Sequence, residues 1–288
     1  MALTDGRLIR VGLCTDQNLP YATLVERWQT FDRLGFDSVW LCDHFIQPSQ
    51  PDGPYFEGWT LLGALAAVTS RIRVGVLVSS NTFRHPALLA KQAATIDHVS
   101  GGRLDLGIGA GWYVPEHRAF GIDFPEPAEL VGRFGEAVEV IDLLLRQDVT
   151  SYNGQYYHLT DAPFRPGPVQ RPRPPFTLGA HRRHMLRVVA RHADVWNSFG
   201  TPAELKARGE ILDECCQEIG RDPPSIRHSL YGWASMLPSD PWASPASFVE
   251  MVERYREAGV TEFIIDAPPP EQFPTLEKVA RDVLPGLR

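Results

Sequence analysis

Cysteine is scarce in this chain: four in 288 residues. Cys14, Cys42, Cys215 and Cys216 fall at no spacing that suits a structural zinc or a disulfide framework. Reduced thiols and a cytoplasmic location are the expectation, with the adjacent Cys215 and Cys216 read as helix-packing residues. The sequence also lacks any apolar run near the ~18 residues of a membrane span. The first ten residues hold Asp5, Arg7 and Arg10 rather than a long apolar core, so no signal peptide is read there. Positive charge is in the minority, with 28 Lys and Arg against 35 Asp and Glu and a net charge of −7. No basic cluster is large enough to neutralise a run of phosphates, which excludes nucleic acid and anionic membranes as expected partners. Two motifs are missing as well. No Gly-x-Gly-x-x-Gly turn follows the first strand signal, against a Rossmann sheet. Strand one ends in Cys14-Thr15-Asp16, without the His-x-His pair of a metal-dependent barrel hydrolase, so no metal is expected.

What is present is a β/α rhythm. Strand signals fall at 10–14, 38–42, 73–79, 104–109, 176–179, 194–198, 226–233 and 262–266. Helical patterns follow each, at 24–34, 59–69, 87–99, 130–145, 185–193, 203–219, 246–258 and 276–283. Gly35, Gly220 and Gly259 stand where helices stop in a left-handed residue. Thr201-Pro202 and Ser244-Pro245 each place a cap residue before a first-turn proline. Eight such units, with a length near the ~250 residues that a (βα)8 barrel needs, predict a single TIM-barrel domain over 1–288.

One unit is overlong. Residues 112–175 separate strands four and five, and they hold one helical pattern, a hairpin signal and a proline-rich connector. Asn153-Gly154 between Thr150-Ser151-Tyr152 and Gln155-Tyr156-Tyr157 suggests a two-residue type I′ turn. An ordered insertion of this length at the rim of a barrel reads as a lid.

Active sites of such barrels collect at the C-terminal ends of the strands. The residues there are aromatic and mostly uncharged, with one basic corner, which suits a flat conjugated ring and a phosphate. Asp43-His44-Phe45 supports two readings: an acid–imidazole pair that holds a ring edge and moves a proton, or an Asp that caps a helix or braces the loop beside an incidental His. Gly109-Ala110-Gly111 would admit a planar ring close to the backbone, and packing alone would also explain it. Gly179, Ala180, His181, Arg182 and Arg183 open a helix, whose free N–H groups and dipole favour a phosphate; the alternative is a solvated basic turn. Asp16, Phe45, Trp112, Tyr113, Trp196 and Trp233 are the expected substrate-facing residues, although core packing would account for either of the last two.

The segments FDRLGFDSVWLCDHF and RIRVGVLVSSNTFRHPALLAKQAATIDHVSGGRLDLGIGAGW carry a family resemblance. Over about residues 9–197 the chain resembles the bacterial luciferase-like flavin and deazaflavin oxidoreductases, and most of all those described as probable F420-dependent oxidoreductases. The resemblance implies a reductase or dehydrogenase moving a hydride between coenzyme F420 and a small organic molecule. It leaves two alternatives open: an FMN-dependent monooxygenase using oxygen and a partner reductase, and a non-catalytic flavin-binding relative. It implies that Asp43 and His44 lie beside the reactive face of the cofactor. It also implies a bulge with a non-proline cis peptide between Leu77 and Ser80, so that Val78, Ser79, Ser80 and Asn81 support the ring. Some relatives have a catalytic Glu where Trp112 stands, so sugar-phosphate oxidation is not carried over; Glu116 matches another acidic position and is the candidate acid. Relatives have a run of glycines at 178–181, from which this chain departs, leaving His181 to take over part of the phosphate contact. The resemblance further implies a homodimer, with Leu61, Leu62, Leu65 and Val68 offering an apolar face that core packing explains equally well. It also implies an F420 or flavin reductase or dehydrogenase as electron source.

Overall fold

The computed structural model describes residues 8–288. Eight parallel strands close on themselves. They are β1 (Arg10–Cys14), β2 (Ser38–Leu41), β3 (Arg73–Val76) continued by β4 (Ser79–Ser80), and β5 (Leu104–Gly109), followed by β8 (Phe176–Gly179), β9 (Val195–Ser198), β10 (Arg227–Gly232) and β11 (Glu262–Asp266). Each pairs with its neighbours in sequence around the ring; β1 pairs with β11, and β3 and β4 with β5. The expected (βα)8 barrel is what forms.

The surrounding helices are α1 (Tyr21–Leu34), α2 (Gly58–Ala67), α3 (Pro86–Val99), α5 (Pro127–Arg146), α6 (Arg183–His192), α7 (Pro202–Glu218), α8 (Pro245–Arg256) and a C-terminal run from α9 (Phe273–Lys278) to α10 (Leu284–Leu287). Gly35, Gly220 and Gly259 take φ of 82°, 72° and 90°, the left-handed stops read from the sequence. Thr201 and Glu204 form a reciprocal capping box at α7, and Ser244 accepts from the Ser247 N–H at α8.

The lumen is packed, not open. Cys14, Trp40, Leu77 and Ile264 form its buried layer, with the half-buried Cys42, Val78 and Tyr231 packed against it on the mouth side. Trp40 fills the centre because two neighbours lack side chains. A Cβ on Gly75 would stand 2.6 Å from one Trp40 ring carbon and from the Asp105 carbonyl oxygen, and one on Gly12 would stand 3.3 Å from the Trp40 Nε1. Below it, Arg73 pairs with Asp105 at 2.6 Å. Leu61, Leu62 and Leu65 are buried in the core shared with α3, so the apolar face expected for a dimer contact is interior; only Val68, at the end of α2, is exposed.

The long unit differs from expectation in two ways. It holds two helices rather than one: the short α4 (Val114–Phe120) precedes α5, and Gly121 ends it at φ 66°. A proline at its second position and the Gly121 stop were its sequence signals. The hairpin of β6 (Val149–Asn153) and β7 (His158–Pro163) turns through four residues, 154–157, because Asn153 pairs with His158 and the Gly154 N–H bonds to the Tyr157 carbonyl at 3.0 Å. Glu136 of α5 explains the longer turn: its carboxylate accepts the N–H groups of Gln155, Tyr156 and Tyr157 at 2.7, 2.8 and 3.2 Å. The connector then runs back along α3, where Lys91 and His98 bond the Arg165 and Gly167 carbonyls.

Candidate active site

The strand-three reading as one run, 73–79, is interrupted. The Leu77–Val78 peptide is cis, at the bulge expected between Leu77 and Ser80, and the chain resumes pairing at β4. Val78 then lies in the barrel mouth. A Cβ on Gly109 would come 2.5 Å from a Val78 methyl and one on Gly179 would come 3.1 Å from it. The glycines at these two strand exits therefore make room for Val78. Gly111, at φ 98°, likewise has no room for a side chain, since a Cβ would stand 2.7 Å from Thr82 Oγ1 and 2.8 Å from Ser80 Oγ.

Asp43 holds this bulge. It accepts the Ser80 N–H at 2.6 Å and a two-pronged ion pair from Arg84 at 2.5 and 2.7 Å, all buried. Its carboxylate is thus occupied by the protein, and the brace reading describes its contacts. Ser79 accepts from the Trp59 indole at 3.0 Å. Asn81 donates to the Tyr157 hydroxyl of the hairpin at 3.2 Å, while its Oδ1 is buried without a partner. His117, which sequence reasoning passed over, donates from Nδ1 to the Tyr113 carbonyl at 2.9 Å. In its neutral form Nε2 then accepts from Thr82 Oγ1 at 2.6 Å, and Thr82 in turn accepts from Ser80 Oγ at 2.7 Å. This order leaves Ser80 Oγ as an acceptor.

His44 is clamped from α4. Its Nδ1 lies 2.8 Å from Glu116 Oε2, while Glu116 Oε1 accepts the Phe45 and Ile46 N–H groups at 2.5 and 3.1 Å. Glu116 is fully buried. Burial alone would raise its carboxyl, but the His44 hydrogen bond, the charge interaction with His44 and the two N–H donors outweigh it and leave the group below the usual range. A carboxylate held ionised accepts only, so Nδ1 carries a proton in either charge state of His44, and the neutral form would keep its lone pair on Nε2. Glu116 therefore does not face the mouth as a free acid, as its family position had suggested; its oxygens are spent on His44 and the following backbone. Trp112 and Tyr113 pack edge-on against the His44 ring at 5.6 and 6.1 Å, and Trp112 is 57 % exposed. Phe45 turns toward Phe83 and Phe120.

The basic corner is reorganised. Arg183 reaches away to Glu214 and Glu218 of α7 at 2.6 and 2.7 Å, which removes it from the phosphate corner. Arg182 is exposed, and among the described residues no carboxylate pairs with it. Ala180 is buried, its carbonyl taken by the Trp196 indole at 2.9 Å. Trp196 thereby leaves the substrate list: it packs against His228 on the helix side of β9, and its neighbour Asn197 bonds Ser229 of the adjacent strand. Strand alternation forces that choice. Arg208 of α7, unmarked in the sequence, bonds Ser198 Oγ at 3.2 Å, and Ser198 meets His181 Nδ1 at 3.0 Å. His181 packs on Phe199 at 4.2 Å. Burial, helped by the Arg208 charge, pushes the imidazole down to about 4. It is neutral near pH 7 and can offer an N–H but no charge.

That shift predicts acid sensitivity. An unfolded histidine titrates near ~6.5, so the folded state loses relative stability as pH falls from about there toward 4, by roughly 2–3 kcal/mol. His181→Asn is expected to flatten the decline of Tm over this interval in calorimetry; an unchanged pH profile would place the shift elsewhere.

Asp16 stands at the end of β1, its carboxyl pushed up by partial burial while Arg27 draws it down. Trp233 lies at the rim, 37 % exposed and parallel to Tyr231 at 6.5 Å. Among the described residues no group of three or more His, Cys, Asp or Glu could hold a metal, and no helix is long and apolar enough to cross a membrane.

The glycine-edged recess around Val78, the orphaned Asn81 oxygen and the free acceptor on Ser80 fit a flat heterocycle with hydrogen-bonding edges, and the corner at α6 fits its phosphate. Barrel and mouth together define the class, a (βα)8 oxidoreductase built around such a ring. The model of the luciferase-like monooxygenase family matches residues 8–243, and the chain belongs to that family. It is 29 % identical over 337 residues, all of both chains, to an F420-dependent glucose-6-phosphate dehydrogenase of Kineococcus radiotolerans. It is also 30 % identical to an uncharacterised Mycobacterium tuberculosis protein over 253 residues, 81 % of each chain. Among solved structures it resembles an F420-dependent secondary alcohol dehydrogenase (TM-score 0.84, 19 % identity, 98 % and 99 % of the two chains). The F420-dependent tetrahydromethanopterin reductase of Methanopyrus kandleri is similar at TM-score 0.83 and 19 % identity, over 98 % of this chain and all of the other.

Proposed function

We propose that this chain is an F420-dependent oxidoreductase that transfers a hydride between the deazaflavin and a small organic substrate. The observation that carries the reading is the pairing of the Val78 recess with a histidine whose tautomer is fixed by Glu116, in a chain whose full-length relatives are named as F420-dependent dehydrogenases. When bound, F420 supplies two-electron hydride chemistry at one ring carbon. Val78, Gly109 and Gly179 would back the ring, Ser80 and Asn81 would meet its polar edge, and Arg182, Arg208, His181 and the α6 N–H groups would take the phosphate.

His44 is the proton-transfer residue. In alcohol oxidation its Nε2 would take the hydroxyl proton, and in carbonyl reduction it would return that proton to oxygen. Glu116 positions it and steadies the charge His44 gains. Trp112, Tyr113 and Trp233 border the substrate space and exclude water. We assign the α4 segment and the hairpin tip to a cover over the mouth, since α4 fixes His44 and Tyr157 bonds Asn81. A homodimer, a cytoplasmic location and a separate F420-reducing enzyme as electron source complete the reading; exposed Val68, Leu88 and Val99 offer an apolar contact on α2 and α3.

Anaerobic fluorescence titration of the purified protein with F420 and with FMN tests the proposal. Saturable binding of F420 in preference to FMN is the expected result. Tight binding of FMN instead would make the chain an oxygen-using monooxygenase, and binding of neither would leave a non-catalytic relative.

A further inference from the structure

Two strands around the barrel from His44, past β1, stands a hydrogen-bonded pair that no cofactor contact explains. Asp266 is the last residue of β11, and Ile264, two residues earlier, lies in the buried lumen layer. Strand alternation therefore sets Asp266 one layer higher, toward the mouth. Tyr231, which packs on that same lumen layer, donates its hydroxyl to Asp266 Oδ1 at 3.0 Å. The Ala234 N–H donates to Oδ2 at 3.0 Å. Each carboxylate oxygen has accepted one bond and has capacity for another.

The charge around the pair is one-sided. Among the described residues no Lys, Arg or His forms an ion pair with Asp266, and the nearby charged group acting on it is Asp16. The other cations near the mouth lie elsewhere: Arg27 acts on Asp16, Arg84 is bound by Asp43, Arg208 lies with Ser198 and His181 at the end of β9, and Arg182 stands past the end of β8. Burial pushes Asp266 up to about 6, with the Ala234 N–H and the Tyr231 hydroxyl working against it and Asp16 adding to the rise. Near neutral pH most of it is ionised in a poorly solvated place without a counter-charge, an arrangement that a cationic ligand relieves and an anionic one worsens. The substrate space also has Trp112 and Tyr113, which add no charge and suit the aliphatic part of a small amine.

We propose that Asp266, presented by Tyr231, anchors a positively charged group of the substrate, so that the enzyme selects an amine-bearing alcohol or carbonyl compound over a phosphorylated one. This rests on the reading of the mouth as the hydride-transfer site and names the substrate class for it. It also separates the chain from relatives named as glucose-6-phosphate dehydrogenases, because a phosphate dianion would meet Asp266 and Asp16 together.

Isothermal titration decides it. Isopropanolamine, isopropanol and glucose 6-phosphate are titrated into the protein with and without F420, for the wild type and for Asp266→Asn and Asp266→Glu. The amine is expected to bind wild type about tenfold or more tighter than isopropanol, with glucose 6-phosphate weakest. Asp266→Asn is expected to erase that advantage and Asp266→Glu to retain it, while the F420 affinity of both stays within about twofold. Equal binding of amine and alcohol, a preference for glucose 6-phosphate, or an amine advantage that survives in Asp266→Asn would overturn the proposal. Failure of wild type to bind F420 would instead sink the cofactor reading, and the titrations without F420 would still decide the role of Asp266.

Discussion

His44→Ala is expected to lower kcat by about 10²- to 10⁴-fold, the usual contribution of one positioned acid–base group, while the F420 dissociation constant stays within a few-fold. Stopped-flow measurement of F420 absorbance with an accepted substrate would read the first quantity and fluorescence titration the second. The separation follows from the contacts: His44 is tied to Glu116 and the α4 aromatics, not to the Val78 recess. Exogenous imidazole is expected to restore part of the rate. Glu116→Gln in the same background is expected to abolish that rescue, since the carboxylate that orients an imidazole is then gone. Retention of more than a third of kcat by His44→Ala would dismiss the histidine as the proton carrier. Glu116 also sets an acid limit. Its folded carboxyl lies below the ordinary range, so its contribution to stability is complete above an unfolded glutamate's ~4.3 and is lost as pH falls through the lowered value.

Asp43→Ala is expected to cost the fold about 3–5 kcal/mol, the range for removing one partner of a buried ion pair. It would leave Arg84, whose side chain is only 7 % exposed, with the longer 3.5 Å pair to the partly exposed Glu57 alone, and would remove the acceptor of the Ser80 N–H. Denaturant unfolding would measure the loss, and weaker F420 binding is expected alongside it because the bulge supporting the ring is no longer held. Asp43→Ala combined with Arg84→Met is expected to be less damaging than Asp43→Ala alone, because no buried charge remains unpaired. If Asp43→Ala unfolds at the wild-type denaturant midpoint, the brace is not a stabilising element.

These two neighbours show how far the sequence could be read. Asp-His at the end of a strand marked the site, but it did not say that Asp43 turns back to Arg84 while His44 turns to Glu116. That division depends on α4 arriving from 72 residues away and on the strand-three bulge, and neither distance is encoded locally. The bulge itself was located by the family resemblance, whereas the composition around it reads as one continuous β run. Trp196 and Arg183 were misplaced for the same reason: each sits beside a strand or helix end, and only the pairing of neighbouring elements decides which side of the barrel a side chain enters. Arg208, His117 and the Tyr231–Asp266 pair carried no motif at all. An acid closing strand eight and a tyrosine one residue before the end of strand seven were their only traces.

The sequence by itself determined the (βα)8 architecture, the helix stops and caps and the strand exits where a site must form. Those follow from periodicity and from glycine and proline chemistry, which act over a few residues. The tertiary structure alone decided which charges at those exits neutralise one another and which remain for a ligand. Partners such as Glu116, Arg84, Arg208 and Asp266 are chosen by barrel closure, which brings residues distant in sequence within hydrogen-bonding reach.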